Sequence, residues 1–177
     1  MNYPTIDFTD LSNAPTLLKE YGVLVIENVI SEEDCKRFAE TTVQELEKLG
    51  SGIDRNNIKD TWEENNLPPQ AKPGMMAFRP SSVKEIWERE DIHNLFRFLY
   101  IGLGKKIKDD EKMIHSLDRV NIKPCEIGPY TKEINPINDW PHLDQTESDD
   151  IFNCIQSSFV ITNSDASFRC SPKSHKV

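Results

Sequence analysis

Long apolar runs are missing from this chain. The longest, such as Val23-Leu24-Val25-Ile26, hold four residues, against the roughly 20 that a membrane-crossing helix needs. No membrane span is therefore expected. The opening Met1-Asn2-Tyr3-Pro4 lacks the basic-then-apolar order of a secretory signal, so the expected location is cytoplasmic or otherwise intracellular. A CxxC pair is also lacking. Cys35, Cys125, Cys154 and Cys170 are scattered, which predicts reduced, mostly buried thiols rather than disulfides or a structural zinc. There is no excess of basic residues: the net charge is -9 and the pI about 5.0. An acidic surface argues against nucleic acid and anionic membranes as partners. Internal repeats and low-complexity tracts are absent.

What remains is an ordinary globular composition. The 177 residues are 37% hydrophobic and 29% charged, enough for a single domain over 1–177 with its own core. Residues 16–30 read as a short helix broken at Tyr21-Gly22, then a strand. The unbroken run Val23 to Ile26 predicts that this strand is buried on both faces. Ser31-Glu32-Glu33-Asp34 resembles a capping box. Apolar side chains at Cys35, Phe38, Ala39, Val43, Leu46 and Leu49 continue it as a helical stripe over roughly Glu32 to Leu49. Residues 50–82 are rich in Asn, Pro and Gly. They read as a long loop anchored by Met75, Met76 and Phe78, with a lid over a site as the sharper alternative. Residues 83–103 read as helical, with Val83, Ile86, Trp87, Leu95, Phe96, Leu99 and Leu103 facing a core. Ser116 to Pro124 and Ile151 to Thr162 suit strands, Asn163-Ser164-Asp165-Ala166 a turn, and Ser167 to Cys170 a return strand. Helices before strands predict an α+β fold or a helix-decorated β-sandwich or barrel.

Two segments carry the chemistry: Trp140-Pro141-His142-Leu143-Asp144-Gln145 and Ser171-Pro172-Lys173-Ser174-His175-Lys176. On a strand, residues two apart share a face, so His142 and Asp144 aim at one point. His175 must come from another strand, and the expected hairpin could return it. Two imidazoles and a carboxylate form a set that suits Fe(II), Mn(II) or Zn(II). In non-haem iron oxygenases it leaves positions open for a co-substrate and oxygen. Zinc with a bound water is the rival, as in hydrolases, although no Asp or Glu stands out as its base. With 4 histidines in 177 residues, an HxD match arises by chance about 0.3 times. The weight therefore rests on the order: HxD, a predicted hairpin, then a histidine after a Pro turn.

These segments, with others, resemble the phytanoyl-CoA dioxygenase-like branch of the Fe(II)/2-oxoglutarate oxygenases. Lys19 to Ile30 resembles that family's opening strand and helix start. Ile86-Trp87-Glu88-Arg89, Asn94-Leu95-Phe96 and Leu99-Tyr100 are similar to its middle helix. Leu117 to Pro124 resembles the strand before the metal motif, and Trp140 to Gln145 and Arg169 to Lys176 its two metal segments. The resemblance implies a double-stranded β-helix, a jelly-roll or cupin-like core, with N-terminal helices packed outside. It implies Fe(II) held by His142, Asp144 and His175, with 2-oxoglutarate and O2 as co-substrates. Oxidative decarboxylation to succinate and carbon dioxide would then drive hydroxylation of a C–H bond in a small-molecule substrate. Two departures accompany it. The family's basic anchor for the far carboxylate of 2-oxoglutarate lies beyond the distal histidine, and the final strands follow; this chain stops at Val177. The expectation is thus a domain shortened at its C-terminus, with Arg119 and Lys123 as substitute anchors and Gln145 as a further co-substrate contact. The spacing from His142 to His175 is also short, 33 residues. A protein that keeps the oxygenase fold for binding or structure alone is the alternative. The sequence sets no oligomeric state.

Overall fold

The structure, a computed structural model, describes residues 3–50, 52–62, 66, 70–72, 75–76, 78–113, 120–122, 154–163 and 170–176. Strand β1 is Thr5–Asp7, helix α1 Ala14–Tyr21 and strand β2 Val25–Glu27. β1 and β2 pair in parallel, with Ile6 opposite Ile26. α1 is the crossover between them, and Phe8 N–H extends the pairing by donating to Glu27 O. The short alternation Thr5-Ile6-Asp7 gave no signal for β1.

β2 corrects one expectation. None of Val23, Leu24, Val25 and Ile26 is fully buried, and Val25 is 40% exposed. Val23 and Leu24 precede the three-residue strand, which has one neighbour among the described residues. Only its inner side is covered: Leu24 and Ile26 pack with Ile6, Phe8, Leu11 and Leu18 against buried Ala14, Leu95 and Leu99.

Helix α2 spans Glu32–Lys48 as its stripe predicts. Ser31 Oγ accepts from Asp34 N–H at 3.0 Å, which satisfies one of the helix's orphan donors. Three acidic residues in the first turn suit the positive end of the helix dipole. Phe38, Thr42 and Leu46, four apart, form the buried line. Leu49 lies beyond the helix and is 54% exposed.

The 50–82 segment is less irregular than expected. A 3-10 turn at Arg55–Asn57 leads into α3, Ile58–Thr61. Arg55 holds it to α2, its guanidinium forking onto Glu47 and reaching Glu40 at 2.7 Å. β3 (Gln70–Lys72), β4 (Met75–Met76) and β5 (Val120–Asn121) make a small antiparallel sheet in that order. Phe78 is the apolar anchor: it is 8% exposed and packs with Leu46 and Ile53.

The predicted helix over 83–103 is two helices, α4 at Ser81–Trp87 and α5 at Glu90–Gly102. At the break, the Arg89 guanidinium folds onto Asp91, two residues ahead, and lies 3.7 Å from Asp34 of α2. α4 has no cap from its own Pro80. Instead the Glu45 carboxylate of α2 accepts from Ser81 N–H at 2.8 Å and from the Ser81 hydroxyl. Just inside this contact, Thr42 and Ser82, both buried, share a hydroxyl–hydroxyl bond of 2.8 Å. α1 packs on α5 through Gly102, where a Cβ would lie 2.3 Å from Pro15 Cγ.

Residues 154–163 form no strand, a second correction. Their apolar side chains dock singly on helices. Ile155 joins the α1–α5 cluster while its N–H donates to the Tyr100 hydroxyl at 2.8 Å. Phe159 meets Trp87 edge-on, with ring centres 5.8 Å apart. The described thiols also differ from expectation: Cys35 and Cys170 are half-buried and Cys154 is exposed. Among the described residues no helix is long and apolar enough to cross a membrane. The double-stranded β-helix expected of the second half falls mainly on residues outside those described.

Candidate functional site

The C-terminal end of α1 gathers the one metal-ligand candidate that lies among the described residues. A helix leaves its last carbonyls without partners inside the helix. In α1, Gly22 takes the left-handed conformation, φ 71°, and its N–H donates to Leu18 O at 2.8 Å. This is the usual glycine stop. The chain turns away there, leaving the carbonyls of Lys19 and Tyr21 pointing past the helix end.

Residues 171–176 fill that position. Lys173 N–H donates to Tyr21 O at 2.7 Å. His175 Nε2 lies 3.0 Å from Lys19 O. A carbonyl only accepts, so Nε2 carries the proton in this contact. The segment is a tight turn, not a strand: Ser174 N–H bonds Ser171 O, Lys176 N–H bonds Lys173 O, and Ser174–Lys176 is a 3-10 turn. Lys173 itself adopts φ 72°. Its ammonium sits 4.8 Å from the centre of the Tyr21 ring and 3.7 Å from Glu20. Positive charge at the end of a helix is favoured by its dipole.

Gly22 is what lets the histidine in. A Cβ on Gly22 would lie 2.1 Å from His175 Nδ1 and 2.7 Å from Cγ. The imidazole therefore occupies the space a side chain would take, and Nδ1 is buried there. Nearby, the Tyr3 hydroxyl reaches Cys170 O at 3.5 Å. Burial pushes the Cys170 thiol above its ordinary value. Cys35 on α2 is raised too, by burial first and then by Asp34 and Glu32. Neither thiol is set up as a nucleophile.

The predicted site residues stand as follows. His142, Asp144, Arg119, Lys123 and Gln145 lie outside the described residues. His175 is described, and it sits against α1. In this arrangement Nε2 donates to Lys19 O, and Nδ1 is packed on Gly22. Ligation of a metal by His175 requires the ring to turn away from Lys19 O about its side-chain bonds. Among the described residues no three His, Cys, Asp or Glu side chains are grouped to hold a metal ion. Lys19, Tyr21, Gly22 and Lys173 were not read as partners of His175 in the sequence. The helix stop at Tyr21-Gly22 was the only local sign.

A concavity of about 660 Å³, broadly open, runs between the Cys35-Ala39-Val43 face of α2 and residues 160–163. Its rim carries Glu32, Lys36 and Glu40. Among the described residues its lining holds no group of three His, Cys, Asp or Glu placed to hold a metal ion.

Comparison with known proteins gives one informative likeness. Over 139 residues, 75% of this chain, the sequence is 27% identical to a Dictyostelium discoideum protein named "Putative phytanoyl-CoA dioxygenase". The match takes in 36% of that protein, so the chain spans about a third of the length of this curated relative. No family model matches the chain, and no solved structure does. The chain is thus a distant relative of a protein named as a dioxygenase.

Proposed function

We propose that this chain carries the metal-binding region of an Fe(II)/2-oxoglutarate-dependent dioxygenase that hydroxylates a C–H bond of a small molecule. The likeness to the Dictyostelium protein carries this reading, because it runs through three quarters of the chain. The ordered set His142, Asp144 and His175 supports it independently. Two imidazoles and a carboxylate are the donor set that such iron sites use. The fold proposed for it is a double-stranded β-helix with α1, α2, α4 and α5 outside.

Bound iron with 2-oxoglutarate and O2 would supply the oxidising power for an unactivated C–H bond. His142 and Asp144 would hold the metal, with His175 as the third protein ligand. Arg119, Lys123 and Gln145 are the residues proposed to meet the carboxylates of 2-oxoglutarate, where Arg or Lys gives a charge-assisted bond. For that role the His175 ring would turn away from Lys19 O. No step is assigned to that arrangement.

Anaerobic equilibrium binding tests the reading. The 177-residue chain should bind Fe(II), and should bind 2-oxoglutarate only when Fe(II) is present. His142→Ala and Asp144→Ala should each lose both. Fe(II) retained at full stoichiometry by both variants would contradict the assignment. The docked His175 favours one second reading, a protein that keeps this architecture for binding alone. That reading expects both variants to fold and the wild type to leave 2-oxoglutarate unbound.

A further inference from the structure

We infer that the 171–176 turn is a long-range latch on the end of α1. Lys173 is its anchor, the His175 ring is a removable filler of the notch at Gly22, and the turn and the last turn of α1 open as one unit.

α1 holds eight residues, too few for a helix to be stable on its own. Asn13 gives it no side-chain cap. Its two buried residues, Ala14 and Pro15, both lie at the start of the helix, against α5. At the other end Lys19 and Glu20 are exposed and Tyr21 is half-buried. Packing on α5 therefore holds the first turn of α1 more firmly than the last.

The 171–176 turn supplies what the last turn lacks. Lys173 N–H donates to Tyr21 O at 2.7 Å. The Lys173 ammonium lies 4.8 Å from the centre of the Tyr21 ring, within cation–π range, and 3.7 Å from Glu20. One residue thus meets the carbonyl, the ring and the neighbouring carboxylate at the helix end. His175 adds its bond from Nε2 to Lys19 O and occupies the space beside Gly22. That ring can turn out about its own side-chain bonds and leave the Lys173 contacts standing. Past Gly22 the chain soon enters β2, whose first residue, Val25, donates its N–H to Pro4 O. Loosening the end of α1 therefore reaches the β1–β2 pairing.

Amide hydrogen exchange in the 177-residue chain, followed by NMR without added metal, tests the latch. The probes are the Lys173 amide and the Gly22 amide, which donates to Leu18 O in the last turn of α1. In mild urea the two should exchange through a shared opening, with equal opening free energies and equal urea slopes. Opening of either amide while the other stays protected would overturn the inference. Lys173→Pro deletes the N–H that bonds Tyr21 O, and proline cannot adopt the φ of 72° found there. It should speed Gly22 exchange about threefold or more, as loss of one hydrogen bond implies, and a smaller change would overturn the inference. The Leu46 amide of α2 serves as control. Should it also exchange faster, the variant has unfolded as a whole and the wild-type comparison decides. His175→Ala should speed Gly22 exchange less than Lys173→Pro does. A larger effect from His175→Ala would overturn Lys173 as the anchor.

Discussion

Replacing Gly102 by alanine sets two effects of opposite sign against each other. Gly102 is the last residue of α5. Helix propensity alone predicts a gain of about 1 kcal/mol for Gly→Ala. The packing predicts the reverse. The added Cβ would stand 2.3 Å from Pro15 Cγ and 2.5 Å from its Cβ, where carbon atoms at rest sit about 3.5–4.0 Å apart. The pyrrolidine ring cannot rotate away, so the start of α1 must retreat by about 1.5 Å to restore that spacing. That movement opens the contact between Ala14, fully buried, and Leu95 and Leu99. Overpacking of this kind costs about 1–3 kcal/mol, so a net loss of about 1 kcal/mol is expected. Urea unfolding followed by far-UV circular dichroism measures it. With a slope of about 2 kcal/mol/M for a domain of this size, the midpoint should fall by about 0.5 M. A midpoint that rises would refute the close approach of α1 to α5, and with it the placement of the helix end that receives His175.

Other outcomes follow from the α2–α4 contact. Thr42→Val and Ser82→Ala should each cost about 1–3 kcal/mol, because each strands the other's buried hydroxyl. The double variant should cost less than either alone, so simple additivity in the same urea assay would contradict the shared bond. Glu45 is held below its ordinary carboxyl value, first by the Ser81 hydroxyl and then by the Ser81 N–H. Its folded form binds protons less readily than its unfolded form, so its contribution is present above the ordinary glutamate range and is lost as pH falls through the lower folded value. Glu45→Gln should flatten that part of the stability–pH curve on the acid side, and an unchanged acid limb would count against the cap.

The parts legible in the sequence were those set by local signals. α2 was readable because Ser31 supplies its cap and the 38, 42, 46 line follows one face. The boundary between α4 and α5 was not, because the apolar spacing runs through Glu88-Arg89 with no glycine or proline to mark a break. What marks it is Arg89, which folds onto Asp91 of α5 and lies 3.7 Å from Asp34 of α2. Val23 to Ile26 looked like a strand buried on both faces because four apolar residues stand together. Apolar character alone does not count neighbours, and among the described residues β2 has only β1. Ile155 and Phe159 gave residues 154–163 the composition of a strand, yet they serve as separate anchors on α5 and α4. The docking of His175 was the least legible feature. It depends on Lys19, 156 residues earlier, and on the missing side chain of Gly22.

The proposed role of His142, Asp144 and His175 in an oxygenase can be tested by turnover. The most direct measurement is succinate released from 2-oxoglutarate in air by the 177-residue chain supplied with Fe(II), beside Asp144→Ala prepared in the same way. The account predicts succinate that requires Fe(II) and falls at least about a hundredfold in the variant, as loss of a metal ligand would cause. Equal succinate from wild type and Asp144→Ala, or none from a folded wild type that binds Fe(II) and 2-oxoglutarate, would contradict it.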